Sequence, residues 1–400
     1  MDCKWKKQGC GGCGDPPAEY AALLAEKQRS MIKLLGKFGA VSPILGAEDP
    51  THYRCKVISS FGTANGRLIN GLYARNSHRI LPIRDCMLED SVAAAAAEAA
   101  CKAAAQCKYT AYDEDRGTGL LRHVLIRRGA ATGQLMVVLI TAQSILPGVK
   151  NFVSNLRRLC PAVTTVVQNV NRKSTSAVLG TQFKTLWGPG YIEDELCGCR
   201  FIISPGSFYQ VNPAQTEKLY SIAVKAASLT PQETVLDAYC GTGTIGLVAA
   251  KQSGCSVIGV ESNRFAVQDA LKNAKRNQIS NARFIAADAG AFMQQMAHSQ
   301  EKAPDVVFMD PPRAGSDEAF LSALCSLAPK RVVYISCNPE TQARDLEYLV
   351  RNNYRVTSIQ PVDLFPFTEH TESIVLLSRE KADDYVRISV NTKDLHMRTN

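Results

Sequence analysis

The sequence predicts an α/β fold in which a Rossmann-like, doubly wound domain follows a smaller α+β domain. After residue 205, short apolar strands alternate with helical segments, an order typical of a parallel sheet with helices on both faces. The first of these strands leads into a glycine-rich turn, as in nucleotide-binding folds. Before residue 205 the chain mixes strands, a hairpin and helices without that alternation, so we place a domain boundary there.

The composition is that of a globular protein with room for two domains. The chain has 400 residues, of which 46% are hydrophobic and 21% are charged, so it can bury a core. The formal net charge of +9 is compatible with a nucleic-acid partner, because phosphates attract Lys and Arg, but does not require one. No apolar run has the length of a signal peptide or a transmembrane helix. We therefore expect a cytoplasmic protein without a membrane partner.

The part before residue 205 is predicted to contain two units. Residues 1–88 combine a cysteine-rich loop, an amphipathic helix over residues 18–38 and short strands around the hairpin turn at Asn65-Gly66. Residues 89–205 form a central α+β domain. Its predicted elements are a helix over 90–108, strands over 121–127 and 134–139, a helix over 152–159 and a strand over 163–170.

The doubly wound domain is predicted to span residues 206–379, with residues 380–400 as a polar C-terminal extension. A helix over residues 214–228 precedes its first strand. The predicted strands cover residues 234–237, 256–260, 282–286, 306–309, 331–335, 355–360 and 372–377. In such a sheet, ligands bind at the carboxyl ends of the strands, so functional residues are expected in the loops that follow them.

The segment from Asp237 to Gly246 predicts a nucleoside-binding turn at the end of the first strand. Its glycines permit a tight turn and the close approach of a ligand to the backbone. Glu261 ends the second strand, where a carboxylate can accept both ribose hydroxyls of a nucleoside. Asp288 follows the third strand. The glycine spacing also suits a nicotinamide dinucleotide, but the turn together with Asp288 and the downstream motifs favours S-adenosylmethionine.

Two further strand ends carry residues suited to covalent chemistry on a pyrimidine. Asp310–Arg313 (Asp-Pro-Pro-Arg) follows the fourth strand, and Ser336–Pro339 (Ser-Cys-Asn-Pro) follows the fifth. Carbon 5 of uracil is a poor nucleophile, but a thiolate that adds to carbon 6 makes it reactive towards a sulfonium methyl group. A base must then remove the carbon 5 proton before the thiolate can leave.

Cys337 fits the nucleophile in this chemistry. An isolated Cys is more often a small buried residue, but the two motifs at neighbouring strand ends favour the catalytic interpretation. The residues alone leave the base open among Glu369, His370 and Glu372.

Five segments in the second half of the chain resemble the RNA uracil-5-methyltransferase family of rRNA and tRNA enzymes. In family order they are residues 207–212, the Asp237 turn, and residues 310–313, 336–339 and 366–373. The resemblance implies that Cys337 is the nucleophile and Glu372 the base. It also implies contacts with the methyl donor or the flipped base for Gln210, Tyr239, Thr244, Glu261, Asp288 and Asp310.

The N-terminal cysteines predict a metal or cluster site. Cys3, Cys10 and Cys13 are spaced C-x6-C-x2-C, and thiols this close in a chain without an export signal suggest bound metal. The expected fourth ligand is Cys86, with Cys55 as the runner-up. The rRNA branch of the resembled family carries a four-iron, four-sulfur (4Fe-4S) cluster on a similar arrangement, so the resemblance implies this cluster. A zinc site is the alternative.

RNA is the expected partner of a monomeric enzyme, and the cluster favours 23S rRNA over tRNA. The small oligonucleotide-binding β-barrel that precedes the cysteines in many family members is expected to be absent, so RNA would bind through the cluster region and the central domain. The basic residues expected to contact phosphates are Arg122, Arg127, Arg128, Arg157, Arg158, Arg172 and Lys173.

There are three alternatives besides a tRNA-specific enzyme. An RNA cytosine-5-methyltransferase would need a second Cys in the loop that Asp310 begins, and none is present. An amino-group methyltransferase would need neither Cys337 nor Glu372. A cluster-bearing RNA-binding protein without activity would not explain the complete set of motifs.

Overall fold

The computed structural model describes residues 3–14, 19–173, 177–299 and 302–380. The residues that it describes form two seven-stranded sheets and a separate two-stranded hairpin. The predicted C-terminal extension lies outside these residues, apart from Glu380. Within the described ranges, every helix is too short or too polar to cross a membrane.

The first sheet contains strands from both sides of residue 88. Its strands are β1 (Lys56–Ala64), β2 (Arg67–Tyr73), β3 (Ile80–Leu81), β4 (Leu121–Arg128), β5 (Leu135–Thr141), β6 (Val163–Val170) and β7 (Gln182–Trp187). The order is β3-β2-β1-β4-β5-β6-β7, and only β5 and β6 are parallel neighbours. Lys56 of β1 lies opposite Arg127 of β4, so one continuous sheet crosses the predicted boundary between the two N-terminal units.

Two helices pack against the first sheet. Helix α3 (Ser91–Gln106) begins where the Asp90 carboxylate accepts a hydrogen bond from the backbone N–H of Ala93 at 2.9 Å, an ordinary N-terminal cap. Its alanines are small enough to bring the helix close to the strands, and most of them are buried. Helix α4 (Val149–Leu159) buries Phe152 and Leu156 in the same core.

The second sheet is the predicted doubly wound sheet. Its strands are β10 (Thr234–Ala238), β11 (Ser256–Glu261), β12 (Ala282–Ala286), β13 (Val306–Met309), β14 (Arg331–Ser336), β15 (Tyr354–Val362) and β16 (Glu372–Arg379). They lie in the order β12-β11-β10-β13-β14-β16-β15. The five strands from β10 to β14 are parallel, whereas β16 is inserted antiparallel between β14 and β15. The predicted fold class is confirmed, and the antiparallel strand pair is an addition to it.

Helices cover both faces of the second sheet. They are α5 (Pro213–Ala227), α6 (Thr244–Ser253), α7 (Arg264–Arg276), α8 (Ala289–His298), α9 (Glu318–Leu327) and α10 (Pro339–Arg351). The hairpin of β8 (Ile192–Leu196) and β9 (Cys199–Ile203) shares the core on the side of α6 and α7. The interior strand β10 buries Val235 and Leu236 completely, on opposite faces, as expected for a strand covered on both sides.

The N-terminal segment reaches across to the second sheet. Besides the short helix α1 (Lys4–Lys7), it contains α2 (Tyr20–Leu35), whose buried side chains recur every four residues at Leu23, Lys27, Met31 and Leu35. Met31 and Leu35 pack in the core beneath α10 and β15. After α2, Val41 and Leu45 form isolated parallel bridges to β15. Residues 20–45 therefore lie on the second sheet, whereas residues 56–81 belong to the first.

Candidate active site

The turn after β10 is held by two carboxylates. Asp237 Oδ2 accepts a hydrogen bond from the backbone N–H of Gly246 at 3.0 Å, which ties the strand to the first turn of α6. Glu261 Oε2 accepts from the backbone N–H of Gly241 at 3.1 Å. Gly241 and Gly243 have φ values of 54° and 78°, and a side chain at Gly243 would collide with the Phe284 ring. The turn therefore requires its glycines.

The other predicted donor-binding residues surround this turn. Asp288 is exposed and caps α8, where it accepts from the Ala291 N–H at 2.9 Å. Tyr239 has a φ of 66° and packs against the Phe320 ring. Thr244 is the first residue of α6 and its hydroxyl lies 3.0 Å from the Tyr220 hydroxyl. Gln210 lies just before α5, half-buried, and its carbonyl accepts from the Cys55 thiol.

Buried acidic groups lie close together at the carboxyl edge of the sheet. Burial, with smaller effects from Asp310 and Glu261, raises the pKa of Asp237 to about 8. Burial also raises the pKa of Asp310. Perturbed pKa values that cluster in a buried region are typical of a functional site.

Cys337 and Glu372 are brought together by the register of two adjacent strands. Cys337 follows the last residue of β14 and Glu372 is the first residue of β16. These strands are antiparallel, and Ser336 lies opposite Ser373. The next position along the two strands therefore places Cys337 beside Glu372, although the two residues are far apart in sequence.

The electrostatics of this pair agree with its geometry. Glu372 is 4% exposed, and burial raises its pKa, with a further increase from Asp310 and a decrease from Arg313. Burial raises the pKa of the half-buried Cys337 thiol to about 11, with added contributions from Glu372 and Asp310. Cys337, Glu372 and Asp310 therefore share one poorly hydrated site.

Of the three possible bases, Glu372 makes the largest electrostatic contribution to the pKa of Cys337. Glu369 is exposed to solvent. His370 is half-buried, and its Nε2 lies 3.0 Å from a terminal nitrogen of Arg313. The Arg313 carbonyl in turn accepts hydrogen bonds from Asn338 Nδ2 at 3.0 Å and from the Thr341 hydroxyl at 3.2 Å, which joins the loops after β13 and β14.

A cleft of 1140 Å³ opens in front of Cys337. One side is formed by α2, including Lys27 and Met31, and another by the glycines of the cysteine-rich loop. Three arginines line it: Arg54, Arg75 and Arg313. Arg54 and Arg75 flank β1 and β2 and lie in no sequence motif, so no local pattern indicates that they belong to the site.

Two basic residues predicted to bind phosphates have other roles. Arg122 is buried and forms a bidentate ion pair with Glu114, and Arg127 is buried and donates to the carbonyl of Ser207. The prediction is wrong for these two residues, because β4 is covered on both faces of the sheet. Arg157 stacks on the Trp187 ring at 4.1 Å on the protein surface.

The four predicted cluster ligands line a single small pocket. Cys3, Cys10, Cys13 and Cys86 all contribute to its wall, whereas the runner-up Cys55 does not. The N–H of Gly12 points to Cys10 Sγ at 3.4 Å, as backbone amides do towards thiolates in metal sites. Among the described residues, no three Cys, His, Asp or Glu side chains converge tightly enough to hold a metal ion.

Comparison with known proteins gives the family of the chain. The family profile described as tRNA (uracil-5-)-methyltransferase matches residues 19–380. An uncharacterized RNA methyltransferase of Halalkalibacterium halodurans is 42% identical over 373 residues, which cover 92% of this chain and 81% of the relative. One of Listeria innocua is 40% identical, with 92% and 82% covered.

A solved structure resembles almost the whole fold. The tRNA (uracil-54, C5)-methyltransferase of Pyrococcus abyssi, crystallised with S-adenosyl-L-homocysteine, superimposes with a TM-score of 0.74 at 27% identity. The match covers 90% of this chain and 83% of that protein. Fold, profile and relatives agree, and the chain therefore belongs to the tRNA (uracil-5-)-methyltransferase family.

Proposed function

We propose that the protein methylates carbon 5 of a uridine in RNA, with S-adenosylmethionine as methyl donor and Cys337 as nucleophile. The observation that carries this proposal is the β14–β16 register, which places a thiol beside a buried carboxylate at the carboxyl edge of the sheet. Family membership supports the same reaction.

The proposed reaction has three steps. The Cys337 thiolate adds to carbon 6 of a flipped uracil, and the electrons of the carbon 5–carbon 6 double bond form an enolate. Carbon 5 attacks the methyl carbon of the sulfonium, and S-adenosylhomocysteine leaves. The Glu372 carboxylate then removes the carbon 5 proton, the double bond re-forms, and the carbon 6–sulfur bond breaks to release the thiolate.

We assign the remaining predicted residues to the donor side of the site. Glu261 and Asp288, at the ends of neighbouring strands, suit the ribose and adenine of the donor. Tyr239 and Thr244 lie on either side of the glycine turn. The assignment of Gln210 and Asp310 to the donor or the uracil rests on the family motifs.

The raised Glu372 pKa keeps this carboxyl partly protonated near neutrality, so proton removal should accelerate as the pH rises.

An adduct with 5-fluorouridine RNA tests the nucleophile. Fluorine at carbon 5 cannot leave as a proton, so wild-type protein with S-adenosylmethionine should form a denaturation-resistant protein–RNA complex. Cys337→Ala should form none and should make no 5-methyluridine. Cys325→Ala, which changes a half-buried Cys in α9, is the matched control and should behave as wild type. Formation of 5-methyluridine by Cys337→Ala would refute the mechanism.

We propose that Cys3, Cys10, Cys13 and Cys86 bind a 4Fe-4S cluster. All four thiols line one pocket, and thiolates are the ligands that such clusters prefer. Protein purified without oxygen should contain about four irons per chain. Cys86→Ser should lose iron, whereas Cys55→Ser, which changes a buried Cys outside the pocket, should retain it. Zinc without iron in the wild-type protein would refute the cluster.

We propose 23S rRNA as the target, because the four-cysteine arrangement resembles the rRNA branch of the family. The second candidate is tRNA, which is the substrate in the name of the Pyrococcus abyssi protein. Methylation of separate 23S rRNA and tRNA transcripts distinguishes the two, and mapping of 5-methyluridine in RNA from a deletion strain identifies the position. Methyl incorporation into tRNA alone would overturn the rRNA assignment.

We further infer that the enzyme acts as a cytoplasmic monomer with three working parts. In this division residues 1–88 carry the cluster, residues 89–205 contribute to RNA binding, and residues 206–379 carry the methyl-transfer site. Sedimentation of the cluster-loaded protein with and without RNA tests the monomer.

A further inference from the structure

A buried lysine of α2 contacts the loop that leads to Glu372. Lys27 is 4% exposed, and its ammonium group lies 2.6 Å from Oδ1 of Asp363, which is fully buried. The same ammonium donates to the carbonyl of His370 at 2.6 Å and to the carbonyl of Phe365 at 3.2 Å. All three of its donors are thus directed to residues 363–370.

Other side chains of the N-terminal segment support the same loop. The Tyr20 hydroxyl donates to the second oxygen of Asp363 at 2.7 Å, and the Tyr53 hydroxyl donates to the carbonyl of Pro366 at 3.0 Å. The Tyr20 ring packs against Phe367. The loop is irregular. Besides the hydrogen bonds that the Thr368 N–H and hydroxyl donate to the Phe365 carbonyl, it is held by these contacts from a distant part of the sequence.

Lys27 also lies near the active site, but it is not next to the reacting atoms. It lines the cleft in front of Cys337 and contacts the carbonyl two residues before Glu372. A general base must lie within about 3 Å of the proton that it removes, and a displacement of about 1 Å can slow a reaction about a hundredfold. The position of the Glu372 carboxylate therefore depends on how firmly residues 365–370 are held.

We propose that Lys27 is a positioning residue that fixes the Glu372 loop for removal of the carbon 5 proton. The inference rests on the proposed function, in which Glu372 is the base. Thiolate addition and methyl transfer depend on Cys337 and the donor site, which Lys27 does not touch. Loss of Lys27 should therefore slow the final step selectively, and the methylated Cys337–RNA adduct should accumulate on ordinary uridine RNA.

The test compares variants in a single-turnover reaction with labelled S-adenosylmethionine and unmodified RNA. Lys27→Met alone leaves Asp363 buried without its counter-charge and can unfold the protein, so the decisive variant is Lys27→Met with Asp363→Asn. Lys33→Met, which changes an exposed lysine of the same helix, is the matched control. Glu372→Gln is the reference for a missing base. Circular dichroism and S-adenosylmethionine binding verify that each variant is folded.

The expected result is a methylated adduct that persists in the double variant and in Glu372→Gln but not in wild type or Lys33→Met. Methyl transfer in the double variant should remain within about threefold of wild type, while adduct release slows at least tenfold. Equal loss of both steps, or wild-type release, would overturn the role of Lys27 while leaving Glu372 intact. If Glu372→Gln accumulates no adduct, the assignment of the base fails, and the inference about Lys27 fails with it.

Discussion

Replacement of Glu372 by Gln should lower the pKa of the Cys337 thiol. Burial is the largest cause of the raised thiol pKa of about 11, and the Glu372 charge is the largest electrostatic contribution. Removal of an adjacent like charge lowers a pKa by on the order of one unit, which increases the thiolate population about tenfold below the midpoint. A less basic thiolate is also less nucleophilic, so the net increase in alkylation rate is about three- to fourfold.

Iodoacetamide alkylation of the Cys337 peptide, followed by mass spectrometry across a pH series, measures this change. The comparison is sharpest at about pH 9.5, where Glu372 is charged in the wild-type protein despite its raised pKa and the thiol is still largely protonated. Glu340→Gln is the matched control, because Glu340 lines the same cleft near Cys337 but is exposed and is not among the main causes of the raised thiol pKa. An unchanged or higher midpoint in Glu372→Gln would refute the proposed adjacency of the two side chains.

Three further substitutions test the packing that supports the site. Gly246→Ala would place a methyl group 2.7 Å from the Asp237 carboxylate, so it should lower the free energy of unfolding by about 1–3 kcal/mol in thermal unfolding and weaken S-adenosylmethionine binding. The control Gly36→Ala, at a helical φ of −60° with ordinary contacts, should not destabilise the fold. The Asp237 pKa is raised from 3.8 to about 8, so between these pH values the native state retains a proton that the unfolded chain releases. The free energy of unfolding, measured in urea titrations, should therefore fall as the pH rises from 3.8 to about 8, and Asp237→Asn should flatten this pH dependence. Lys27→Met should lower the free energy of unfolding by about 3–5 kcal/mol, because it leaves the buried Asp363 carboxylate without its ion-pair partner, whereas Lys33→Met should have little effect. Equal melting temperatures for the two variants would contradict the buried ion pair.

Strand periodicity made much of the fold predictable. The apolar runs that form β10 to β14 are short and bounded by turns, and the structure places these five strands close to the predicted positions. Strand β7 was not predicted, because it is an edge strand with half-exposed side chains and no clear alternation. The prediction that Arg122 and Arg127 bind phosphates fails because an isolated sequence does not show that β4 is covered on both faces.

The partners within the site were less accessible to sequence reasoning. Cys337 and Glu372 are neighbours only because β16 is inserted antiparallel beside β14, and no local pattern specifies that insertion. Without the family resemblance, the base remained open among three residues. Lys27 occupies a helix position that the amphipathic pattern assigns to the core, but its acidic partner is 336 residues away. Long-range pairings of this kind are set by the tertiary fold, which local periodicity does not encode.

The docking of α2 on the second sheet has a consequence for how the enzyme is made. The chain is synthesised from its N-terminus, yet the surface that receives Met31 and Leu35 includes β15, which emerges more than 300 residues later. The apolar face of α2 therefore stays exposed until nearly all of the protein has left the ribosome. The cleft in front of Cys337 gains the wall that α2 supplies only then, so an incomplete chain lacks the assembled site.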